Sequence, residues 1–585
     1  MTSAHDVIAR RVSPGSNPPG SSNAPSIRGL IQQHAVTLGD SASLLAPCRQ
    51  ALTYRELLET VDRAGAALRS IGISRSDRVA VVLPNGPEMA ATFVAVASCA
   101  ACAPLNPRFG ADEFEFYLAD LQAAALLVEQ GDDGPARKVA QDRGIPVLEL
   151  VVDRARAAGS FSFRVDPADQ ASEIGSTIEG GGAGDDVALI LHTSGTTSRP
   201  KMVPLTHANV CASAGNVART LQLSDEDRCL NLMPLFHIHG LVGVLLSSLV
   251  AGASVVCAPG FREDQIAGWM REFKPSWYSA VPTIHQAMLE VARSSTDVWF
   301  DSLRLIRSSS SALPPQVMSD LERTFGVPVI ESYGMTEAAH QMTSNPLPPA
   351  VRKPGSVGLP AGPEIGIMDE HGNSLAPGGA GEIVIRGPGV TTGYIGNPEA
   401  NATAFTAGWF RTGDLGHVDE DGYLFISGRK KEMINRGGEK VSPREIDEAL
   451  LEHELVAQAV AFAVPHATLG EDIAAAVVLR NASDVDENAL RRFAFGRLAP
   501  FKVPSRIIFI ESIPKGPTGK LQRIGLHRQL EKQLRSEYVE PRTDLERFVV
   551  VAIEEILDVS GVGANHNFFA LGGDSLKGAP AFWLG

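Results

Sequence analysis

Between Leu191 and Leu205 the chain reads LHTSGTTSRPKMVPL, a short apolar run that opens into Thr193, Ser194, Gly195, Thr196, Thr197 and Ser198, with Lys201 close behind. Hydroxyl donors, a glycine that lets the backbone approach closely and a following cation are what a polyphosphate cradle requires. The string is not G-x-x-x-x-G-K-[ST], because Lys201 follows Pro200 and precedes Met202, so phosphates would be held in a frame other than a P-loop. By composition alone it also suits an ordinary strand-to-strand turn. Four further segments carry groups able to work on phosphates and carboxylates. They are Tyr333-Gly-Met-Thr-Glu337, Gly408-Trp-Phe-Arg-Thr-Gly-Asp414, Gly428-Arg-Lys-Lys-Glu-Met-Ile-Asn-Arg-Gly-Gly438 and Pro514-Lys-Gly-Pro-Thr-Gly-Lys520. Chemistry that brings a carboxylate up to a phosphate brings two anions together. Such catalysis is mostly charge neutralisation and alignment.

In this order, the five segments resemble the adenylate-forming superfamily of acyl-CoA synthetases, firefly-type luciferases and non-ribosomal peptide synthetase adenylation domains, over roughly residues 26–535. The resemblance implies ATP, Mg2+ and CoA as partners of the reaction. It makes Glu337 the magnesium ligand beside the α-phosphate, with Thr336 donating to that phosphate, and magnesium does prefer one or two carboxylates plus phosphate oxygens. Tyr333 is expected to stack on adenine, Asp414 to accept from the ribose hydroxyls, and Arg429 to assist at ribose and phosphates. Lys520 is expected to bridge the substrate carboxylate and the α-phosphate from a small mobile domain. That domain would then rotate about Lys431, withdraw Lys520 and present Gly437 and Gly438 to a pantetheine thiol.

Three segments bear on the acid. Pro234-Leu-Phe-His-Ile-His-Gly240 carries His237 and His239, Arg307-Ser-Ser-Ser-Ser311 sets hydroxyls including Ser309 and Ser310 behind a guanidinium, and His340 follows Glu337 closely. A fatty-acid tunnel needs apolar walls, whereas these groups suit a second carboxylate, which is costly to bury unpaired. A gating role for His237 and a satisfied core position for His239 stand beside that reading. The segments 192–201, 234–241, 277–286 and 335–340 resemble the oxalate-CoA ligase branch, which implies a short, donor-rich pocket lined by His237, His239, Ser309, Ser310 and His340, with Arg307 acting from behind. Amino-acid-activating relatives place an aspartate near residues 235–239, and none stands there.

Composition agrees with a large enzyme of two to four domains. The 585 residues allow an ample core, and a net charge of -15 opposes nucleic-acid binding, which needs a basic face. Six cysteines at 48, 99, 102, 211, 229 and 257 lack paired spacing, which suggests reduced thiols in the cytoplasm. Cys99-Ala-Ala-Cys102 sits in an apolar run without a second pair and reads as core, not zinc. No run reaches the ~18 apolar residues of a membrane span, and the C-terminal Trp-Leu-Gly is no peroxisomal address.

The elements that must position these groups follow an α/β pattern. Tyr54 to Ile71 repeats apolar residues at helical spacing, Arg78 to Pro84 is a buried-strand run ending in a Pro-Asn-Gly turn, and such pairs recur. The expected organisation is a disordered tail over 1–25, a large AMP-binding domain over 26–428, and a small mobile α+β domain over 429–535. A Gly-rich connector at 179–184 precedes the phosphate-loop strand. Over 540–585, Asn567-Phe-Phe-Ala-Leu-Gly-Gly-Asp-Ser-Leu576 resembles the 4'-phosphopantetheine attachment site of carrier proteins, with Ser575 modifiable and Thr543 to Leu557 as an amphipathic first helix. Only ten residues follow Ser575, Gly578 and Pro580 among them, so a truncated carrier is expected. Two other readings stand beside the CoA ligase: a module that loads a short acid onto a carrier, and a non-catalytic nucleotide-binding scaffold.

Overall fold

Helical stretches form where apolar residues recur every three or four positions. In Tyr54–Ser70, the buried Tyr54, Leu57, Val61, Ala64 and Leu68 make one stripe, and Thr53 with Glu56 closes a capping box at the start. The Arg78 run becomes strand Arg78–Val82. The structure, a computed structural model, describes residues 25–165, 183–193, 200–295, 297–466, 469–480, 485–514, 523–534, 538–557, 559–564, 566, 568 and 571. Its fold is α/β, with a large N-terminal part and a smaller C-terminal part.

Two large sheets share one helical layer. The first has nine strands, and six of them run parallel in the spatial order Val329–Met335, Leu305–Ser308, Trp277–Ala280, Arg228–Asn231, Ser254–Cys257, Ala42–Leu45. The second has seven strands and ends in the antiparallel hairpin Val187–Thr193 and Lys201–Thr206. Helices Pro87–Ala97 and His207–Thr220 touch strands of both sheets and build the main apolar core between them. Helices Ile266–Phe273, Pro282–Ser294 and Pro315–Phe325 cover the outer face of the first sheet, and Ala111–Leu121 and Pro135–Asp142 that of the second. The layering is therefore αβαβα.

A third, antiparallel sheet contains Trp409–Val418 paired with Leu424–Arg429. A fourth is built entirely from strands between Ile434 and Phe509, with Pro443–Leu451 and Glu487–Phe495 packed on one face. The amphipathic helix expected from Thr543 runs from Asp544 to Leu557. It buries Val550 while Leu545, Phe548, Val549 and Val551 stay exposed. Cys102, Cys211, Cys229 and Cys257 are buried, Cys99 is half-buried and Cys48 exposed, all as free thiols. Among the described residues no helix is long and apolar enough to cross a membrane.

Candidate active site

The first sheet delivers its functional side chains at the C-terminal ends of its parallel strands, where strand order reverses and open α/β sheets place their ligand crevices. Asn231, Ser279 and Arg307 stand in register on three neighbouring strands. The chain beyond Asn231 carries His237 and His239, the chain beyond Ser308 carries Ser309 and Ser310, and the turn Thr336–Ala338 follows strand Val329–Met335. The next strand, His340–Ser344, returns antiparallel with a register shift between Tyr333 and Gly334, a bulge that re-aims side chains locally. Ser310, Ala339 and His340 all take positive φ, 74°, 48° and 110°. Non-glycine residues rarely hold such angles unless their surroundings over-determine them, so backbone strain gathers at this crevice.

One group of residues gathers around the buried carboxylates Asp414 and Glu337. Asp414 is buried and lies opposite Arg429 in the third sheet. The Tyr333 hydroxyl donates to one carboxylate oxygen of Asp414, and Arg429 Nε lies 3.0 Å from the other. Burial, then the Asp414 charge, pushes the Tyr333 phenol well above its ordinary range, so Tyr333 remains a donor. Glu337 is buried, and Tyr394 donates to its Oε1 at 2.9 Å. Desolvation raises the Glu337 pKa, opposed by Tyr394, Lys201 and Arg429. Lys201 places Nζ 4.5 Å from the Tyr394 ring centroid. Its own pKa is lowered, first by burial and then by Lys431, while Glu337 acts in the opposite direction. Thus residues 201, 337, 394, 414, 429 and 431 share one electrostatic neighbourhood. Thr336 is half-buried, and its carbonyl accepts from Ala339 N at 3.0 Å.

The phosphate-loop expectation falls partly outside the described residues. Thr193 and Lys201 face each other across the hairpin, while Ser194, Gly195, Thr196 and Thr197 are not among the described positions. His192, just before the loop, lies 3.2 Å from Asp120 and edge-on to Tyr117, which ties down its base. Lys520 and Ser575 also lie outside the described residues. Nearby Arg523 is anchored to Asp447 at 2.7 Å and Glu432 at 3.2 Å. Gly437 and Gly438, with φ of 60° and 95°, form the exposed turn between Ile434–Arg436 and Glu439–Val441.

A second group forms a buried polar network. His239 and His340 stack with ring centroids 5.1 Å apart. His239 Nε2 lies 2.7 Å from Ser279 Oγ, and its Nδ1 lies 3.0 Å from Ser310 Oγ. Arg307, fully buried, donates from Nη1 to His340 Nε2 at 3.1 Å and to Ser279 Oγ at 3.4 Å, and from Nη2 to Gln341 Oε1 at 3.2 Å. Because a guanidinium only donates, His340 Nε2 must accept, which assigns the ring proton to Nδ1. Burial pulls the Arg307 pKa down to about 9, so the cation persists at neutral pH. Ser309 is fully buried, and its hydroxyl donates to the Ser332 carbonyl at 3.2 Å. His237 is half-buried beside Phe236.

The AMP-binding enzyme family model matches residues 31–395, and the AMP-binding enzyme C-terminal domain model matches residues 445–520. The chain belongs to the AMP-binding enzyme family. An oxalate–CoA ligase of Arabidopsis thaliana is 44% identical over 503 residues, covering 85% of this chain and 97% of the relative. One from Saccharomyces cerevisiae is 40% identical over 515 residues, covering 83% and 94% respectively. The ATP-bound crystal structure of MatB from Rhodopseudomonas palustris superposes with a TM-score of 0.78 at 29% identity, covering 87% of this chain and all of that one.

Sequence reasoning missed Tyr394, Ser279, Gln341 and Gly243. Tyr394 sits in a loop tied to strand Lys201–Thr206 by Ile395 N to Met202 O at 3.0 Å and by Thr391 Oγ1 to Pro204 O at 2.8 Å. Nothing local distinguishes it from a loop tyrosine. Gly243 lies in the π-helix His239–Leu246, where a Cβ would sit 2.3 Å from the His340 ring. The signal was there as a glycine inside an apolar helical run, a position that asks for close packing.

Proposed function

We propose that the protein is an ATP-dependent acid–CoA ligase whose acid is oxalate. The observation that carries the acid is Arg307, a fully buried cation that forms no ion pair with a carboxylate among the described residues. An uncompensated buried charge costs several kcal/mol, a cost removed when a bound anion supplies the counter-charge. A dianion two carbons long offers one carboxylate for reaction and a second for the network of Arg307, His340, His239 and Ser310. The chain's similarity to oxalate–CoA ligases of a plant and a yeast supports the same acid.

In the first step a carboxylate oxygen attacks the α-phosphorus of ATP, and the bond to pyrophosphate breaks. Lys201 and the Thr193 loop, with Ser194, Gly195, Thr196 and Thr197, hold the phosphates, Thr336 donates to the α-phosphate, and Lys520 neutralises charge between the two anions. Asp414 accepts from the ribose hydroxyls, with its orientation fixed by Tyr333 and Arg429. The ring of Tyr333 offers a face to adenine. Glu337 fits a magnesium ion, because it is a buried carboxylate without an ion-pair partner within 4.0 Å among the described residues. Magnesium bound there would neutralise phosphate charge. In the second step a CoA thiol, admitted past Gly437 and Gly438 after rotation about Lys431, attacks the acyl carbon, and AMP leaves. The unpaired cysteine spacing supports a cytoplasmic setting.

Pyrophosphate release with magnesium–ATP across oxalate, malonate, acetate, benzoate and a long-chain fatty acid, each with and without CoA, tests this reading. Oxalate turnover stimulated by CoA and abolished in Arg307→Met is expected; equal turnover of acetate, or an indifferent Arg307→Met, refutes it. Lys520→Ala should abolish adenylation while ATP still binds. The exposed apolar residues of helix Asp544–Leu557 favour a second acceptor, 4'-phosphopantetheine on Ser575. Incubation with CoA and a phosphopantetheinyl transferase should then add one phosphopantetheine mass, absent in Ser575→Ala. No mass gain in the parent chain rejects that acceptor.

A further inference from the structure

Arg307 is held by a neutral residue at the point where a carboxylate would satisfy it best. Gln341 is 1% exposed, and its Oε1 accepts from Arg307 Nη2 at 3.2 Å. The amide cannot turn over, because its Nε2 donates to Thr220 Oγ1 at 3.1 Å and to the Ala361 carbonyl at 3.2 Å. Thr220 must be the acceptor in the first of these bonds. Its own hydroxyl already donates to the carbonyls of Asn216 at 3.0 Å and Val217 at 3.1 Å. The backbone N–H of Gln341 is fixed as well, on Ser213 Oγ at 3.1 Å. Every polar group of this side chain is satisfied only in the orientation that presents a carbonyl oxygen to the guanidinium.

Glutamate has the same length and shape as glutamine and differs in charge. A carboxylate at this position would close a buried ion pair with Arg307 and cancel the positive field that otherwise reaches the crevice through His340 and Ser279. We propose that Gln341 is a specificity-determining positioning residue, which orients Arg307 without neutralising it and so reserves the buried cation for the second carboxylate of a dianionic acid. This rests on the oxalate reading above. Gln341 touches neither ATP nor the reacting atoms by this account. Its effect is felt through the KM of the acid.

The test compares Gln341→Glu with Gln341→Met, which keeps the length and removes the acceptor without adding charge. The measurements are KM and kcat for oxalate in pyrophosphate release, with thermal stabilisation by ATP reporting that each variant is folded. If Gln341 acts through charge, the glutamate variant raises the oxalate KM ~100-fold or more, since like-charge juxtaposition costs several kcal/mol, and the methionine variant raises it less than ~10-fold. A merely structural role predicts comparable effects, because glutamate and methionine both lose the Nε2 bonds to Thr220 and the Ala361 carbonyl. Equal effects, or a larger effect from methionine, overturn the inference. Should Gln341→Glu show no stabilisation by ATP, Gln341→Asp, whose shorter carboxyl withdraws from the Ala361 carbonyl, carries the same expectation. Arg307→Met measured alongside separates the two levels. If it leaves oxalate unaffected, the acid assignment fails; if it abolishes oxalate while glutamate and methionine at 341 behave alike, only the role of Gln341 fails.

Discussion

Gly243→Ala puts the network proposed to hold the acid to a geometric test. A Cβ at this position would lie 2.3 Å from both Cδ2 and Nε2 of His340, against an ordinary contact of 3.4 Å or more, so the ring must withdraw by about 1 Å. The His340 Nε2 bond to Arg307 is 3.1 Å long, and a shift of that size takes it beyond hydrogen-bonding range. Losing a buried hydrogen bond to a charged group costs ~1.5–3 kcal/mol, which corresponds to roughly a 10- to 150-fold fall in kcat/KM for the acid. Overpacking adds a stability cost of ~1–3 kcal/mol, visible as a lower melting temperature. The assay is pyrophosphate release titrated separately with oxalate and with ATP, and the loss should appear in the acid titration while the ATP KM stays within ~2-fold of the parent. Because the clash is with one ring, Gly243→Ala should cost nothing further in a His340→Ala background. An unchanged acid titration, or an equal loss in that background, would refute the account of this glycine.

Three other perturbations probe the remaining parts of the site. Tyr394→Phe removes a donor that lowers the Glu337 pKa, so the acidic limb of the pH–rate profile should move to higher pH and half-saturation by magnesium should need several-fold more metal; an unmoved limb argues against the pairing. Asp414→Asn leaves Arg429 without its anionic partner and weakens the acceptor proposed for the ribose, which should raise the ATP KM by ~10- to 100-fold with little change for the acid. Glu331 is buried, accepts from Leu313 N through one oxygen, leaves Oε2 without a hydrogen bond among the described residues, and has its pKa lifted by burial to about 7. An acid raised in the folded state contributes stability that is full below the ordinary carboxyl range and lost as pH rises through about 7. Chemical unfolding at pH 5 and pH 8 should therefore show the parent losing about 2–3 kcal/mol more than Glu331→Gln over that interval, and parallel pH dependences would exclude this carboxyl as the cause.

The candidate groups were legible in the sequence where a single contiguous string supplies them. Glu337 stands four residues after Tyr333, Arg429 stands two residues before Lys431, and the strands on either side of the hydroxyl loop pair at Thr193 and Lys201, so each lies in a short string whose order carries the family resemblance. The α/β architecture was legible for a similar reason, because strand and helix periodicities are local properties of the chain. Other features depend on residues far apart in sequence, and those only the tertiary structure decided. The meeting of Gln341 with Arg307 and Thr220 follows from strand order and the bulge after Tyr333. Tyr394 reaches Glu337 because its loop is pinned to strand Lys201–Thr206. In the run Ser308 to Ser311, four adjacent hydroxyls look alike in sequence, yet Ser309 bonds the neighbouring strand and Ser310 bonds His239, because the strand ends at Ser308 and the backbone turns through a positive φ at Ser310. The sequence determined which reactive groups are present and which elements carry them. The packing of two sheets around one helical layer determined which groups meet, since a hydrogen bond formed across a hundred residues is set by register and burial and leaves no local trace in the chain.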